Sequence, residues 1–172
     1  MYKLISYSDG SVLVTNDSPA YRAEHLVDSA EQAEILVVGL NQFGLMEQLA
    51  AHRFEFETSG LTLEGGLRIK TDRESQAQLA NSYVTLKSGL IPDTDWKAAN
   101  GWQIGGLAEI EPIAKSMAAH VRACFRGERA TTTAINTAAT MADIEAISIS
   151  ELFGAAYQEA FDEVMPPEQA LE

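Results

Sequence analysis

Alternating apolar and polar residues predict a β-hairpin at the start of the chain. Two stretches rich in strand-forming residues, 2–7 and 12–15, flank the turn residues Asp9 and Gly10. An Asp-Gly pair favours the type I′ turn, which needs positive φ at both central positions. An isolated hairpin is only marginally stable in water, so we expect this one to pack on the rest of the protein or on a neighbouring chain.

A helical spacing of apolar residues follows, from residue 29 to about residue 53. Ser29 is the predicted N-cap, and Gln32 occupies the matching position of a capping box. Gly39 and Gly44 oppose this helix, since each glycine costs about 1 kcal/mol relative to alanine. The apolar run 35–38 is also compatible with a buried strand, but the longer periodicity favours the helix.

Short strands and a capped helix are predicted next. Residues 54–57 alternate with period two, and residues 61–63 and 67–69 flank a glycine-containing turn. Thr71 and Glu74 then have the spacing of a capping box, which predicts a helix that runs to about residue 87 and stops near Gly89.

Asn100 and Gly101 give a second strong type I′ hairpin signal, between strands over 95–99 and 102–104. A two-residue loop at this position pairs Ala99 with Trp102. Because side chains alternate along a strand, Trp96 and Ile104 are expected on opposite faces of the ribbon.

The longest predicted element is a helix over about 107–139. Its apolar residues recur at intervals of three and four, the spacing of a heptad seam: Leu107, Ile110, Ala114, Met117, Val121 and Cys124. Pro112 is tolerated in the first turn if the regular helix begins near Ile110. Two interpretations stay open: this helix packs on the protein's own sheet, or it also self-associates.

A short helix to about residue 147 and a final helix capped by Ser148 complete the pattern. The predicted fold is therefore α+β, with small antiparallel hairpins packed with several helices, one of them long. Three regions are expected: an N-terminal hairpin and helical segment over 1–53, an α+β domain over 54–147, and a C-terminal helix with an acidic tail over 148–172.

Charge changes this picture at the C-terminal end. The chain has 12 basic and 25 acidic residues, and eight of the acids follow Arg129 with no Lys or Arg among them. Such a surface repels phosphate backbones, so we expect no nucleic-acid partner. The acids are compatible with a solvated face, with a dock for a basic partner, or with a decoy that mimics nucleic acid.

Candidate chemistry is sparse. The longest apolar run is far short of the ~20 residues that cross a bilayer, and a single cysteine permits no internal disulfide and no structural zinc site. His120 and Cys124 are four residues apart on one helical face, so a thiolate–imidazolium pair is sterically conceivable. Cys124 continues the apolar seam, however, and we expect no catalytic residue, cofactor or metal site.

An ordered set of residues resembles a known family. The segment Thr71–Ala77 is followed by Trp96-Lys97, Asn100-Gly101, His120–Phe125 and Ala139–Met141. In this order the residues resemble an uncharacterised domain family of tailed phages and prophages, over about residues 50–147. Members are encoded among tail-fibre and tail-fibre-assembly genes, and the family has no assigned catalytic residues.

The resemblance implies a non-enzymatic tail protein, either a virion component or a tail-fibre assembly factor. Its partners would be phage tail or tail-fibre proteins and further copies of itself, with no membrane, in the virion tail or in the host cytoplasm during assembly. An acidic decoy that binds a host nucleic-acid-binding protein is the alternative. Apolar residues are the candidate interaction anchors: Trp96, Leu107, Ile110, Met117 and Val121.

Overall fold

A computed structural model describes residues 1–16, 22–63, 66–98 and 101–167 of the chain, without the side chains of 96–98 and 103. The fold is α+β, as predicted. In the described residues, its strands are β1 (Tyr2–Ser6), β2 (Val12–Asn16), β3 (Glu24–Val27), β4 (Leu61–Thr62), β5 (Arg68–Ile69), β6 (Thr94–Ala98) and β7 (Gly101–Gly105), and its helices are α1 (Ala30–Thr58), α2 (Arg73–Lys87), α3 (Leu107–Thr137), α4 (Met141–Glu145) and α5 (Ile149–Asp162).

The chain forms two compact units, each built from two separate segments. Unit 1 contains Met1–Ala51 and Arg129–Leu152, and unit 2 contains His52–Glu128 and Phe153–Glu172. The boundaries fall inside helices, so α1, α3 and α5 each contribute residues to both units.

Unit 1 contains a three-stranded antiparallel sheet in the order β1-β2-β3. The predicted hairpin is present, and its central strand buries Val12 and Val14. Its turn is not type I′, because only glycines have positive φ in the described residues and Asp9 therefore has negative φ. Gly10 alone has positive φ, and Asp9 Oδ1 accepts hydrogen bonds from the amide and hydroxyl of Ser11. The strand β3 was not predicted.

The side-chain amides of two neighbouring residues of α1, Asn41 and Gln42, bind backbone groups of other segments of unit 1. Asn41 Oδ1 accepts from the Tyr2 amide at 2.8 Å, and Asn41 Nδ2 donates to the Tyr2 carbonyl at 3.0 Å. Gln42 Nε2 donates to the carbonyl oxygens of Ile135 and Ala138, where α3 ends. These bonds satisfy backbone groups that regular secondary structure leaves without partners.

The helix α1 begins after Ser29 as predicted, with the Ser29 hydroxyl accepting from the Gln32 amide. It continues through residue 58, so the predicted strand over 54–57 is wrong. Alternation over four residues is too short to distinguish a strand from one turn of helix. In the helix, Glu57 is fully buried.

Unit 2 has a hydrophobic core between β5, α2 and α3. The predicted hairpin over 61–69 forms β4 and β5, and pairs Leu61 with Ile69. Residues from all three elements close the core, and burial of this apolar area is its main source of stability: Ile69, Leu79, Leu86, Ile110 and Met117.

The helix α2 starts one residue later than the predicted capping box implies. Its N-cap is Asp72, whose carboxylate accepts from the amide and hydroxyl of Ser75. The Thr71 hydroxyl instead accepts from the Gly60 amide at 2.8 Å. A tertiary contact has therefore removed Thr71 from the cap. The predicted end of this helix is confirmed at Ser88 and Gly89.

The second predicted hairpin is present, but its turn lies one residue earlier than predicted, which shifts the pairing of Trp102 by two residues. Trp102 pairs with Lys97 and Ala98 with Gly101, so the expected pairing of Ala99 with Trp102 is wrong. Ala99 and Asn100 lie outside the described residues. The register places Trp96 and Ile104 at alternate positions of the ribbon, as expected.

The long helix α3 ends two residues earlier than predicted. It begins at Leu107, so Pro112 lies in its second turn and not in the first. The helix passes through Gly127 without interruption. After it, Thr140 and Asp143 form a capping box at the start of α4.

Candidate functional site

The apolar seam of α3 belongs to the core of unit 2. Ile110 and Met117 are buried, and Leu107 and Val121 pack against the same core. These four candidate anchors therefore contact the core of their own chain, and Met117 and Val121 also line a groove on its surface. The side chain of Trp96, the fifth candidate, lies outside the described residues.

The structure brings His120, Cys124 and a carboxylate residue together inside unit 2. His120 Nε2 lies 3.0 Å from the carbonyl oxygen of Glu57 and 3.9 Å from Cys124 Sγ, and His120 Nδ1 lies 2.9 Å from the Tyr157 hydroxyl. All three side chains at the centre, those of His120, Cys124 and Glu57, are buried. The residues form an enclosed cluster and not an open cleft.

The hydrogen bonds of His120 fix its tautomer. A carbonyl oxygen only accepts, so Nε2 carries the proton and donates to Glu57, while Nδ1 accepts from Tyr157. Nε2 therefore cannot accept a proton from the Cys124 thiol. Burial raises the pKa of Cys124 to about 12 and lowers the pKa of His120, so the pair is a neutral thiol beside a neutral imidazole. This arrangement does not match an activated nucleophile.

The lowered pKa of His120 predicts a pH-dependent stability. Below about pH 6.5 the unfolded chain binds a proton that the folded chain resists, so the unfolding free energy falls as pH drops. The slope from this residue has an upper limit of about 1.4 kcal/mol per pH unit. We expect urea unfolding of the wild type to show this loss between about pH 6.5 and pH 5, where few carboxylates titrate. His120→Gln should flatten the slope, and an unchanged slope in that variant would contradict the assignment.

A buried ion network lies beside this cluster. Glu57 Oε2 is 2.7 Å from Arg53 Nη1 and 3.1 Å from Arg73 Nη2, and Oε1 accepts from Gln76 Nε2 at 3.0 Å. Arg53 also pairs with Glu128. The network joins α1, α2 and α3 and satisfies both oxygens of a carboxylate that has no contact with solvent. Its geometry indicates a structural role.

The sequence offered one signal for this network. Arg53 and Glu57 are four residues apart, the spacing of an ion pair on one helix. That spacing was hidden when residues 54–57 were interpreted as a strand. The contributions of Arg73 and Gln76 come from another element and have no local sequence signal.

The hairpin β6–β7 exposes two large apolar side chains of unit 2. Trp102 is 69% exposed and Ile104 is 74% exposed. The two residues are two apart in β7, so they lie on one face of the ribbon. The connection from α2 into β6 exposes Leu90 as well, at 75%. Sequence reasoning treated Trp102 only as a strand residue and missed this surface.

A shallow apolar groove runs between α2 and α3 in unit 2. Two adjoining cavities of about 400 and 450 Å³ share Ala80, Ala114 and Ala118 as lining residues. Charged side chains of Glu111 and Lys115 stand at its edge. The small alanine side chains permit close approach of another surface, but the groove has no convergent polar groups that would orient a small molecule.

The C-terminal acids have local partners in several places. Asp143 accepts from the Thr140 amide, Glu163 pairs with Arg122, and Asp162 accepts from Gln158. These three carboxylates make hydrogen bonds or ion pairs with residues of their own chain. This use favours the interpretation of a structural and solvated face over a phosphate-like stripe.

In the part of the chain that the structure describes, no group of three or more His, Cys, Asp or Glu residues is placed to hold a metal ion. Among the described helices, none has the length and apolar character needed to cross a bilayer.

Comparison with protein-family models identifies the family of this chain. No curated protein and no solved structure is significantly similar to the chain. A family model described as a domain of unknown function (DUF4376) matches residues 42–149, which include the region where the sequence resembles an uncharacterised family. Because the match covers more than half of its length, the chain belongs to this family of uncharacterised domains, DUF4376.

Proposed function

We propose that this chain is a non-enzymatic protein of the phage or prophage tail-fibre region, either a virion component or a fibre assembly factor. It acts by protein–protein contacts, as a homo-oligomer that also binds a tail-fibre protein. The resemblance of the sequence to a family encoded among such genes supplies the biological setting. That setting places it in the virion tail or in the host cytoplasm during assembly.

One observation carries the proposal. Trp102 and Ile104 are exposed side by side on a two-stranded ribbon, whereas His120 and Cys124 are buried and neutral. An exposed tryptophan presents a large apolar area, and tryptophan is the residue type most enriched among the residues that dominate binding energy. The hairpin is therefore the proposed contact surface, in place of the buried α3 seam.

The alternative of an acidic decoy has less support. A decoy needs carboxylates that are available to basic groups of a host protein, and Asp143, Asp162 and Glu163 are engaged within the chain. The exposed apolar hairpin is also unsuited to a partner whose surface binds phosphate.

Co-purification tests the proposed function. We expect the tagged full-length chain to capture the fibre protein encoded in the same phage or prophage, and we expect Trp102→Ala to lose that capture. Phe43→Ala is the matched control, because Phe43 is an aromatic residue of similar exposure, 65%, on α1. Mass spectrometry of purified particles then separates a virion component, which is present, from an assembly factor, which is absent. Failure of the wild-type chain to bind the fibre protein would contradict the proposal.

A further inference from the structure

The edge strand β1 of unit 1 exposes apolar residues and contains no proline and no acidic residue. Four of its five residues are exposed, among them Leu4 and Ile5, and Tyr7 just beyond it is 48% exposed. Natural edge strands are usually guarded by charges, prolines or bulges. The opposite edge, β3, carries Glu24 in an ion pair with Arg22. Because β1 carries Lys3, the two edges of the sheet differ in the sign of their charge, which is basic on β1 and acidic on β3.

Asn41 shows which backbone groups of β1 point away from the sheet. Its side-chain amide bonds both the amide and the carbonyl of Tyr2, so these groups of Tyr2 face away from β2. Backbone groups alternate in direction along an antiparallel strand. The amide and carbonyl groups of Leu4 and Ser6 therefore also point outward, beyond the stretch that Asn41 covers.

We infer that β1 pairs antiparallel with β1 of a second copy of this chain, about a two-fold axis at Ile5. In this register Leu4 lies opposite Ser6 of the second copy, and Ser6 opposite its Leu4. The outward amide and carbonyl of each residue then form four backbone hydrogen bonds across the axis. The two three-stranded sheets become one sheet of six strands.

Side chains complement each other in the same register. Ile5 meets Ile5 of the second copy at the axis, and Lys3 lies opposite Tyr7 of the second copy on either side. A lysine ammonium against a tyrosine ring is an attractive pair, and it occurs twice because of the symmetry. The apolar positions Leu26, Leu13 and Ile5, which lie opposite one another in the sheet, continue into the same row of the second copy.

Charge favours a second copy at this edge. The chain has a formal net charge of −13, which opposes contact between copies over most of its surface. Residues 1–8 contain Lys3 and no acidic residue. Two copies that meet along β1 therefore bring no carboxylates of this strand against each other. This inference rests on the homo-oligomer of the proposed function and assigns its interface.

Opposite charges introduced at position 5 test the inference. Sedimentation equilibrium of the full-length wild type should show a dimer. Ile5→Lys alone and Ile5→Glu alone should each raise the dimer dissociation constant about tenfold or more, because like charges then face each other at the axis. An equimolar mixture of the two variants should restore dimers. Restoration of dimers in the mixture requires residue 5 of one copy to face residue 5 of the other. Dimers that persist in each single variant would overturn the register.

Two single proline substitutions, one in each edge strand, give an independent test with a matched control. Leu4→Pro removes only an outward N–H of β1, which an edge strand tolerates, and should abolish the dimer. By the same alternation, Leu26→Pro removes only an outward N–H of β3 and should leave the dimer intact. Circular dichroism checks that both variants fold. A dimer that survives Leu4→Pro overturns the interface while the homo-oligomer stands, and a wild type that stays monomeric overturns both without affecting capture of a fibre protein.

Discussion

Glu57→Gln is expected to lower the unfolding free energy by about 3 kcal/mol. Removing one partner of a buried ion pair costs about 3–5 kcal/mol because it leaves the other charge uncompensated. The predicted loss lies at the low end of this range for two reasons. Arg53 retains its ion pair with Glu128, and the side chain of Arg73 is half exposed. Both carboxylate oxygens of Glu57 accept hydrogen bonds, from Arg53 and from Gln76. In the glutamine variant the side-chain NH₂ group replaces one of these oxygens, so one of the two donors faces another donor.

Glu111→Gln is the control for this prediction. Glu111 pairs with Lys87 at 3.0 Å, but both side chains are about half exposed, and such pairs contribute little. Urea unfolding followed by circular dichroism should therefore separate the two variants clearly. Equal effects of the two substitutions would show that the Glu57 network does not hold the helices together.

Gly127→Ala is expected to destabilise the protein by about 1 kcal/mol net, although alanine is the better helix former. An added Cβ would lie 2.9 Å from the carbonyl oxygen and 2.9 Å from Cδ2 of Phe153, which is fully buried. Backbone cannot move aside as a flexible side chain can, and overpacking a core costs about 1–3 kcal/mol. This cost exceeds the gain of about 1 kcal/mol in helix propensity.

Gly39→Ala is expected to change the stability in the opposite direction, on another helix. Gly39 lies in α1 with nothing within 4 Å of an added Cβ. Only propensity changes there, so the variant should be stabilised by about 1 kcal/mol. Thermal unfolding should give a higher midpoint for Gly39→Ala and a lower one for Gly127→Ala. A stabilised Gly127→Ala would mean that α5 does not approach α3 as closely as the structure has it.

The local signals of the sequence predicted most elements of the fold. Turn residues such as Gly10 and the cap residue Ser29 act within a few residues of themselves, so their effects can be derived without tertiary information. The α+β class, the three predicted hairpins with glycine-containing turns, and the start of α1 were correct for this reason.

The errors arose where a distant contact changed a local preference. Thr71 has the spacing of a cap, but the Gly60 amide from another element takes its hydroxyl. Residues 54–57 alternate like a strand, but burial of Glu57 among Arg53, Arg73 and Gln76 fits one more turn of helix. Such contacts depend on chain segments far apart in sequence.

The candidate site was the least predictable feature. A heptad-like seam in α3 indicates an apolar face, but not whether the chain itself or a partner covers it. The structure covers Ile110 and Met117 with the chain's own core and leaves Trp102 and Ile104 exposed. Exposure depends on what packs against each face of a ribbon, and alternation alone does not contain that information.

The most direct test of function by protein contact is the affinity of the full-length chain for a tail-fibre protein, the partner that the proposed function names. Isothermal titration calorimetry should give binding by the wild type and by Phe43→Ala with similar affinity. Trp102→Ala should bind about 30-fold more weakly, the loss that a central tryptophan contributes. Equal affinity of Trp102→Ala and the wild type, or no binding by the wild type, would contradict the proposal.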